Sequence, residues 1–347
     1  MKYLFAYSIP ITAFIGFYHG GWGYWATPLF AFVIIPILEM VMPLDTTNLE
    51  KEEALKNEKK SIYDVMLYAN IVIVYGLLFW SFTILNTTKT WLETAGLIFS
   101  LGLVLGTNGI NVAHELGHRS NFIEKILAKA LLLPSFYTHF FIEHNHGHHV
   151  HVSTPEDPST AKFNQSLYWF WIQTVVGTYT KAWKIQKQIN QRENIRFFSP
   201  KNDMFWFSIL QLTFLLAVYL LFGGKGVLFA ISVGIIGFLL LETINYIEHY
   251  GLRRRKLTSG RYERVSEIHS WNSNHIMGRI ILYELTRHSD HHFKSNKKYQ
   301  ILEYHQSSPQ LPFGYPTSMV LAAIPPLWFS IMNPRIPAEM VDLAENN

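Results

Sequence analysis

The sequence predicts an all-α integral membrane protein, with six transmembrane helices and a cytoplasmic helical and loop region, forming one domain over residues 1–347. Three observations carry that expectation. Of the 347 residues, 49% are hydrophobic and 15% aromatic, while 16% are charged, against the roughly 25% usual in a soluble domain. Apolar stretches of the ~20 residues needed to cross a bilayer recur along the chain. Lysine and arginine then fall almost entirely on one side of the topology that those stretches define.

The first apolar stretch, about 3–19, begins directly after Met1 and Lys2. No small-residue cleavage site with polar chain beyond it follows, so the stretch reads as half of a membrane hairpin and not as a signal peptide. The turn "YHGGWGYWATP" carries the Tyr and Trp favoured at membrane interfaces and leads into the second span, 24–43. Further spans are expected at 63–86, 93–113, 205–223 and 226–248. The stretch 122–143 is also apolar, but Glu124, Lys125, Lys129 and Pro134 make it an interfacial or buried helix. "SMVLAAIPPLWFSIM" contains Pro325 and Pro326 and is membrane-associated at most. With a cytoplasmic N-terminus the outer loops are 20–23, 87–92 and 224–225, and they hold Lys89 and Lys225 of the 29 Lys and Arg residues. The segments 114–204 and 249–347 are then cytoplasmic.

The chain has no cysteine and 16 histidines. Disulfides, thiolate metal sites and iron–sulfur clusters are excluded, and any metal must be held by nitrogen or oxygen. His114 and His118 lie at the inner end of the fourth span, and His249 at the inner end of the sixth. "EHNHGHHVH" (143–151) and "LTRHSDHH" (285–292) occupy the cytoplasmic segments, so the clusters share one side; His19 faces the other. On a helix, residues three or four apart share a face. His114 with His118, His144 with His148 beside His149, and His288 with His291 and His292 can therefore each direct imidazoles at one point. With His249 this gives nine plausible ligands, enough for two ions with a position left open. Imidazole suits zinc, copper, iron and nickel alike. His139, His146, His151, His269, His275 and His305 read as hydrogen-bonding residues, with His269 and His275 candidates to support ligands.

"HELGH" also matches the H-E-x-x-H pattern of zinc proteases, with Glu115 as general base, but that reading leaves seven proposed ligands idle. A metal transporter would place ligands on both sides of the membrane. Glu115, Glu143, Glu248 and Asp290 adjoin histidines and are expected to orient them through hydrogen bonds. Glu242 and Asn245 are polar within a span, where ionisable groups are functional candidates. "RRRK" (253–256) is either an anchor to anionic lipid or a docking patch for an acidic partner.

"HELGHR" (114–119), "EHNHGHH" (143–149), "NYIEHYGL" (245–252) and "LTRHSDHH" (285–292) resemble the four histidine motifs of the bacterial membrane-bound alkane 1-monooxygenases. "TPEDPSTA" (154–161), "HSWNSNH" (269–275) and "SSPQLPFGYP" (307–316) resemble that family too. Arg119, His146 and Thr286 stand where the family commonly has Lys, Arg and Gln, and none of these removes a ligand. The resemblance implies a multi-pass protein of the inner membrane with its active site on the cytoplasmic side. It implies two non-haem iron ions held by His114, His118, His144, His148, His149, His249, His288, His291 and His292. O2 is the implied co-substrate and an alkane the substrate. Rubredoxin, itself reduced by a flavin-dependent reductase, would deliver the electrons, and no nucleic acid is involved. A related histidine-box enzyme acting on fatty acyl chains or aromatic methyl groups is the neighbouring alternative. Oxidation of an unactivated methyl group demands a redox metal with an open coordination position, which iron supplies and zinc does not.

Overall fold

The structure, a computed structural model, describes residues 2–345. Among them every regular element is helical, and only isolated bridges such as Leu44 with His275 pair extended backbone. Four helices are long and apolar enough to cross a membrane: Gly21–Val41, Ser61–Thr87, Trp91–Gly117 and Asp203–His249. The predicted first span is a 3₁₀ turn, Lys2–Tyr7, continuing into the helix Ser8–His19.

The last long helix runs for 47 residues. At 1.5 Å per residue that is about 70 Å, more than twice the ~30 Å hydrocarbon core. Its backbone leaves helical geometry at Gly223 (φ 67°, ψ −168°), a region open essentially to glycine alone. Gly20, which ends the helix Ser8–His19, takes nearly the same conformation (φ 67°, ψ −174°).

The chain turns near residues 20–25, 85–92 and 223–225 meet at one end of the molecule. Tyr24 Oη lies 3.3 Å from Thr87 Oγ1, Trp25 Nε1 donates to the Leu92 carbonyl at 3.0 Å, and Lys225 Nζ donates to Asn86 Oδ1 at 3.1 Å. The histidine clusters lie at the opposite ends of the same helices.

Small residues let two of these helices approach closely. A Cβ on Gly237 would stand 3.1 Å from Leu105 Cβ and 3.6 Å from the Gly102 carbonyl, and one on Gly106 would stand 3.5 Å from the Gly237 carbonyl. This crossing brings the C-terminal ends of both helices, and with them His114 and His249, to one place.

Three helices complete the frame. Phe122–Leu132 has an Asn121 N-cap and packs on the end of the 91–117 helix. A continuous helical run over 140–151 carries the second histidine cluster. Leu167–Arg192, capped by Ser166, is a 26-residue helix that the hydropathy reading did not anticipate. It packs on the 203–249 helix through buried Phe170 and Thr174 and exposes Trp169, Ile172 and Val176. Near the C-terminus, Pro325 opens a separate helix, so the apolar stretch there is two short helices, Tyr315–Ala322 and Pro325–Met332.

Candidate metal centre

The nine histidines fall into two groups whose ring nitrogens converge. His114, His118, His144, His149 and His291 form one, and His148, His249, His288 and His292 the other, with the facing atoms of each group within 4.8 Å of one another. In the first group the Nε2 atoms of His114 and His291 are 2.9 Å apart, His149 and His144 3.0 Å, His144 and His118 3.1 Å, and His291 and His149 3.2 Å. In the second, His292 and His288 are 2.9 Å apart, His288 and His249 3.1 Å, and His148 and His292 3.2 Å.

Helical spacing accounts for part of this arrangement. His114 with His118, and His288 with His292, are i, i+4 pairs that stay together. His144 and His148 are also i, i+4, yet they part. The backbone over His144–His148 widens into a π-turn, which places i and i+5 on one side. His144 therefore joins His149, and His148 turns to the other group. A second π-turn, Leu105–Ile110, lies one turn before His114. The expectation that each cluster serves a single point is thus corrected: the second and third clusters each supply both groups.

The donor set suits a metal. Two imidazoles bound to one ion at ~2.1 Å and near 90–100° stand about 3.0–3.2 Å apart, which is the spacing seen. Without a cation, each Nε2 that meets two others cannot satisfy both, since a ring nitrogen either donates or accepts. Burial holds His144, His149, His288, His291 and His292 well below the ordinary histidine range, reinforced by neighbouring imidazoles. His118 is pushed down to about 3 by burial, with the His148 and Arg119 charges adding to it. Neutral imidazole is the form that binds metal.

Asp157 was not singled out in the sequence, and it makes the closest carboxylate contact. Its Oδ2 lies 2.9 Å from His148 Nδ1 and accepts from Thr160 Oγ1 at 2.6 Å, while Oδ1 accepts from the Ser159 amide at 3.2 Å. Burial alone would keep His148 neutral, but the Asp157 charge and hydrogen bond outweigh it and raise its pKa. Of the carboxylates expected to support ligands, Glu248 comes nearest. Its Oε2 is 3.2 Å from His288 Nε2, and its Oε1 accepts from Tyr315 Oη at 2.7 Å.

The others bind elsewhere. Glu115 accepts from Arg119 Nη2 at 2.6 Å and the Tyr299 amide at 3.2 Å. Glu143 lies 3.2 Å from Lys181 Nζ, and burial with the nearby Asp157 charge pushes its carboxyl up to about 7. Glu242 accepts from Tyr137 and Thr174, each at 2.7 Å, and from Asn245 at 3.1 Å. Asp290 holds His305 at 2.8 Å and Lys297 at 2.7 Å. His269 bonds the Ser266 amide at 3.0 Å and His275 bonds Ser273 at 2.9 Å, and neither enters a group. His139 packs between Tyr137 and Tyr179, and His151 pairs with Glu156.

Arg253 and Arg254 are buried rather than displayed. Arg254 donates to the carbonyls of Val150 at 2.9 Å, Val152 at 3.3 Å and Glu263 at 2.7 Å, tying the second histidine cluster to the chain beyond His249. Only Arg255 and Lys256 of that run are exposed.

Two hollows lie near the centre. A polar pocket lined by Arg119, Asn145, His146 and Lys298 reaches His118. An apolar cavity between helices is lined by Ile9, Phe32, Leu103, Leu240, Ile281 and Met319, and also by Tyr315, the residue bonded to Glu248.

Residues 89–320 match the family model for fatty acid desaturases. Alkane 1-monooxygenase 2 of Pseudomonas aeruginosa is 40% identical over 317 residues, covering 90% of this chain and 84% of the relative. Alkane 1-monooxygenase 2 of Alcanivorax borkumensis is 40% identical over 334 residues, covering 95% and 87%. The xylene/toluene monooxygenase hydroxylase component of Pseudomonas putida is more distant, at 29% over 337 residues, covering 94% and 86%. At this identity over nearly the full length, within the matched desaturase family, the chain belongs to the alkane 1-monooxygenases.

Proposed function

We propose that this protein hydroxylates the terminal carbon of alkanes to give 1-alkanols, at two non-haem irons held by the five-histidine and four-histidine groups. The convergence of nine imidazoles beside an apolar cavity is the observation that carries the reading. One oxygen atom of O2 enters the C–H bond and the other leaves as water, consuming two electrons and two protons. The irons supply the oxygen activation that no side chain here can perform.

The chain's own residues prepare that chemistry. The imidazoles present nitrogen donors in two pre-formed sets. Asp157 fixes the ring orientation of His148, as carboxylates do for metal-bound histidines. The Glu248–Tyr315 pair stands between the four-histidine group and the apolar cavity, where it borders the space for the reacting carbon. The cavity walls offer a linear hydrocarbon contact without unpaired polar groups. Closer kinship to enzymes named for alkanes than to the xylene/toluene component favours alkanes over aromatic methyl groups.

The break at Gly223 divides the 47-residue helix into two spans, 203–222 and 224–249. Together with the run 2–19 this gives six spans. The turn end, bearing Lys89 and Lys225, faces outward, and the basic histidine end faces the cytoplasm of a bacterial inner membrane. Electrons come from rubredoxin docking on the cytoplasmic face, where Arg255 and Lys256 remain available for an acidic partner.

The test is turnover of purified, iron-loaded protein with rubredoxin, its reductase and NADH on alkanes of several lengths. The expected product is the 1-alkanol. Full iron loading with reduced rubredoxin consumed and no alcohol formed defeats the alkane assignment.

A further inference from the structure

The stretch 181–201 carries Lys181, Lys184, Lys187, Arg192, Arg196 and Lys201 against the single acid Glu193. Lys181 turns inward, donating to the Glu156 carbonyl at 3.1 Å and lying 3.2 Å from Glu143. The other five cations are exposed, and none is in an ion pair among the described residues. Exposed aromatic rings stand among them: Phe197 is 53% and Phe198 75% accessible.

Between the end of the 167–192 helix and the turn that follows lies a groove lined by Trp183, Lys184, Lys187, Ile195, Phe197 and Asn202. The turn is held in shape. Asn202 Nδ2 donates to the Phe197 carbonyl at 2.8 Å, the Ile195 amide to the Asn190 carbonyl at 2.8 Å, and Trp206 Nε1 to the Ser199 carbonyl at 3.2 Å. Trp183 and Phe197 lie nearly parallel, at 10° and 6.4 Å between centroids.

Depth decides what fits there. The apolar helix starts at Asp203, so residues 196–202 sit within about two turns of a membrane span. On the same side, the 167–192 helix exposes Trp169, Ile172 and Val176 at 68%, 58% and 60%. An apolar stripe continuing into unpaired cations is the pattern of a surface that meets both acyl chains and anionic headgroups.

We propose that this groove seats one anionic phospholipid of the leaflet on the histidine side. Its phosphate lies against Lys184, Lys187 and Arg196, and an acyl chain lies along Trp183, Phe197 and Ile195. An acidic protein would find the same charge, but it has no use for exposed Phe197 and Phe198 at the membrane boundary. The seat steadies a helix whose inner face holds Glu242 through Thr174 and Glu143 through Lys181. The inference rests on residues 203–222 crossing the membrane and is independent of iron.

The experiment is native mass spectrometry of the delipidated full-length protein, titrated with phosphatidylglycerol or with phosphatidylcholine of identical chains. Wild type is expected to retain one phosphatidylglycerol in preference to phosphatidylcholine. Lys184→Gln/Lys187→Gln/Arg196→Gln lowers that affinity about a hundredfold, at the strength of contact usual for basic residues near anionic lipid. Phe197→Ser, with every charge kept, weakens both lipids. Lys51→Gln/Lys56→Gln/Lys59→Gln, on and just after the separate helix Lys51–Glu58, changes nothing. Equal retention of the two lipids, or a triple variant that still holds phosphatidylglycerol as wild type does, overturns the proposal. Unchanged lipid binding with slower rubredoxin-driven turnover assigns the patch to an acidic protein instead.

Discussion

Asp157 sits on a turn nine residues beyond His148, fastened by Thr160 and the Ser159 amide, and its bond to His148 Nδ1 leaves Nε2 facing the other histidines of its group. Asp157→Asn keeps the shape and removes the charge. It is expected to weaken metal retention about 10–100-fold, measured as iron left after competition with a chelator. The nine histidines were readable because their spacing and their common side of the membrane are properties of the sequence. Asp157 was not, because a loop sets its distance from His148, and nothing in "TPEDPSTA" says where the turn folds back. Arg254 was misread for a related reason. A run of four cations looks solvated until the carbonyls of Val150, Val152 and Glu263 surround one of them. Arg254→Ala leaves three carbonyls unpaired and should cost roughly 2–4 kcal/mol, seen as a lower thermal midpoint in detergent. Arg255→Ala, which is exposed, should leave the midpoint where it is.

The helices divide along the same line. Spans were legible where hydropathy alone decides, so the stretches at 24–43, 63–86 and 93–113 fall on helices of the structure within a few residues. The helix Leu167–Arg192 was missed because its buried face mixes Thr174, Thr178 and Gln186 with apolar residues while Trp169, Ile172 and Val176 are exposed, which no average hydropathy detects. The π-turn at His144–His148 was equally hidden, since its sequence reads as ordinary α-helical spacing. At Gly223 the composition was informative, and the conformation explains why glycine stands there. Gly223→Val forces a β-branched residue to φ near 67° and should destabilise the fold by about 1–3 kcal/mol. Gly224→Ala, at the neighbouring position with open space around it, should be tolerated. Thermal unfolding of the two variants side by side checks the contrast.

For the whole molecule, the absence of cysteine makes topology directly measurable. Lys225→Cys lies with the turns at one end and Lys294→Cys beyond the histidines at the other. An impermeant thiol reagent applied to intact cells should label the first and spare the second until the membrane is opened. Labelling of both from outside, or of Lys294→Cys alone, would contradict the orientation proposed above.

The carboxylates around the nine imidazoles have a further consequence when their counter-charges are tallied. Glu115 stands against Arg119, Glu143 against Lys181, and Asp290 against Lys297, so each is already neutralised. Asp157 and Glu248, which touch the four-histidine group, have neither lysine nor arginine within ion-pair distance among the described residues. Two ions of equal charge placed in the two groups would therefore sit in unequal fields, because a buried carboxylate without a lysine or arginine counterion, as at Asp157, stabilises a cation strongly. An ion bound beside Asp157 and Glu248 would be the easier of the two to oxidise. Mössbauer spectra of iron-loaded protein should resolve two distinct environments, and Glu248→Gln should shift one while leaving the other in place.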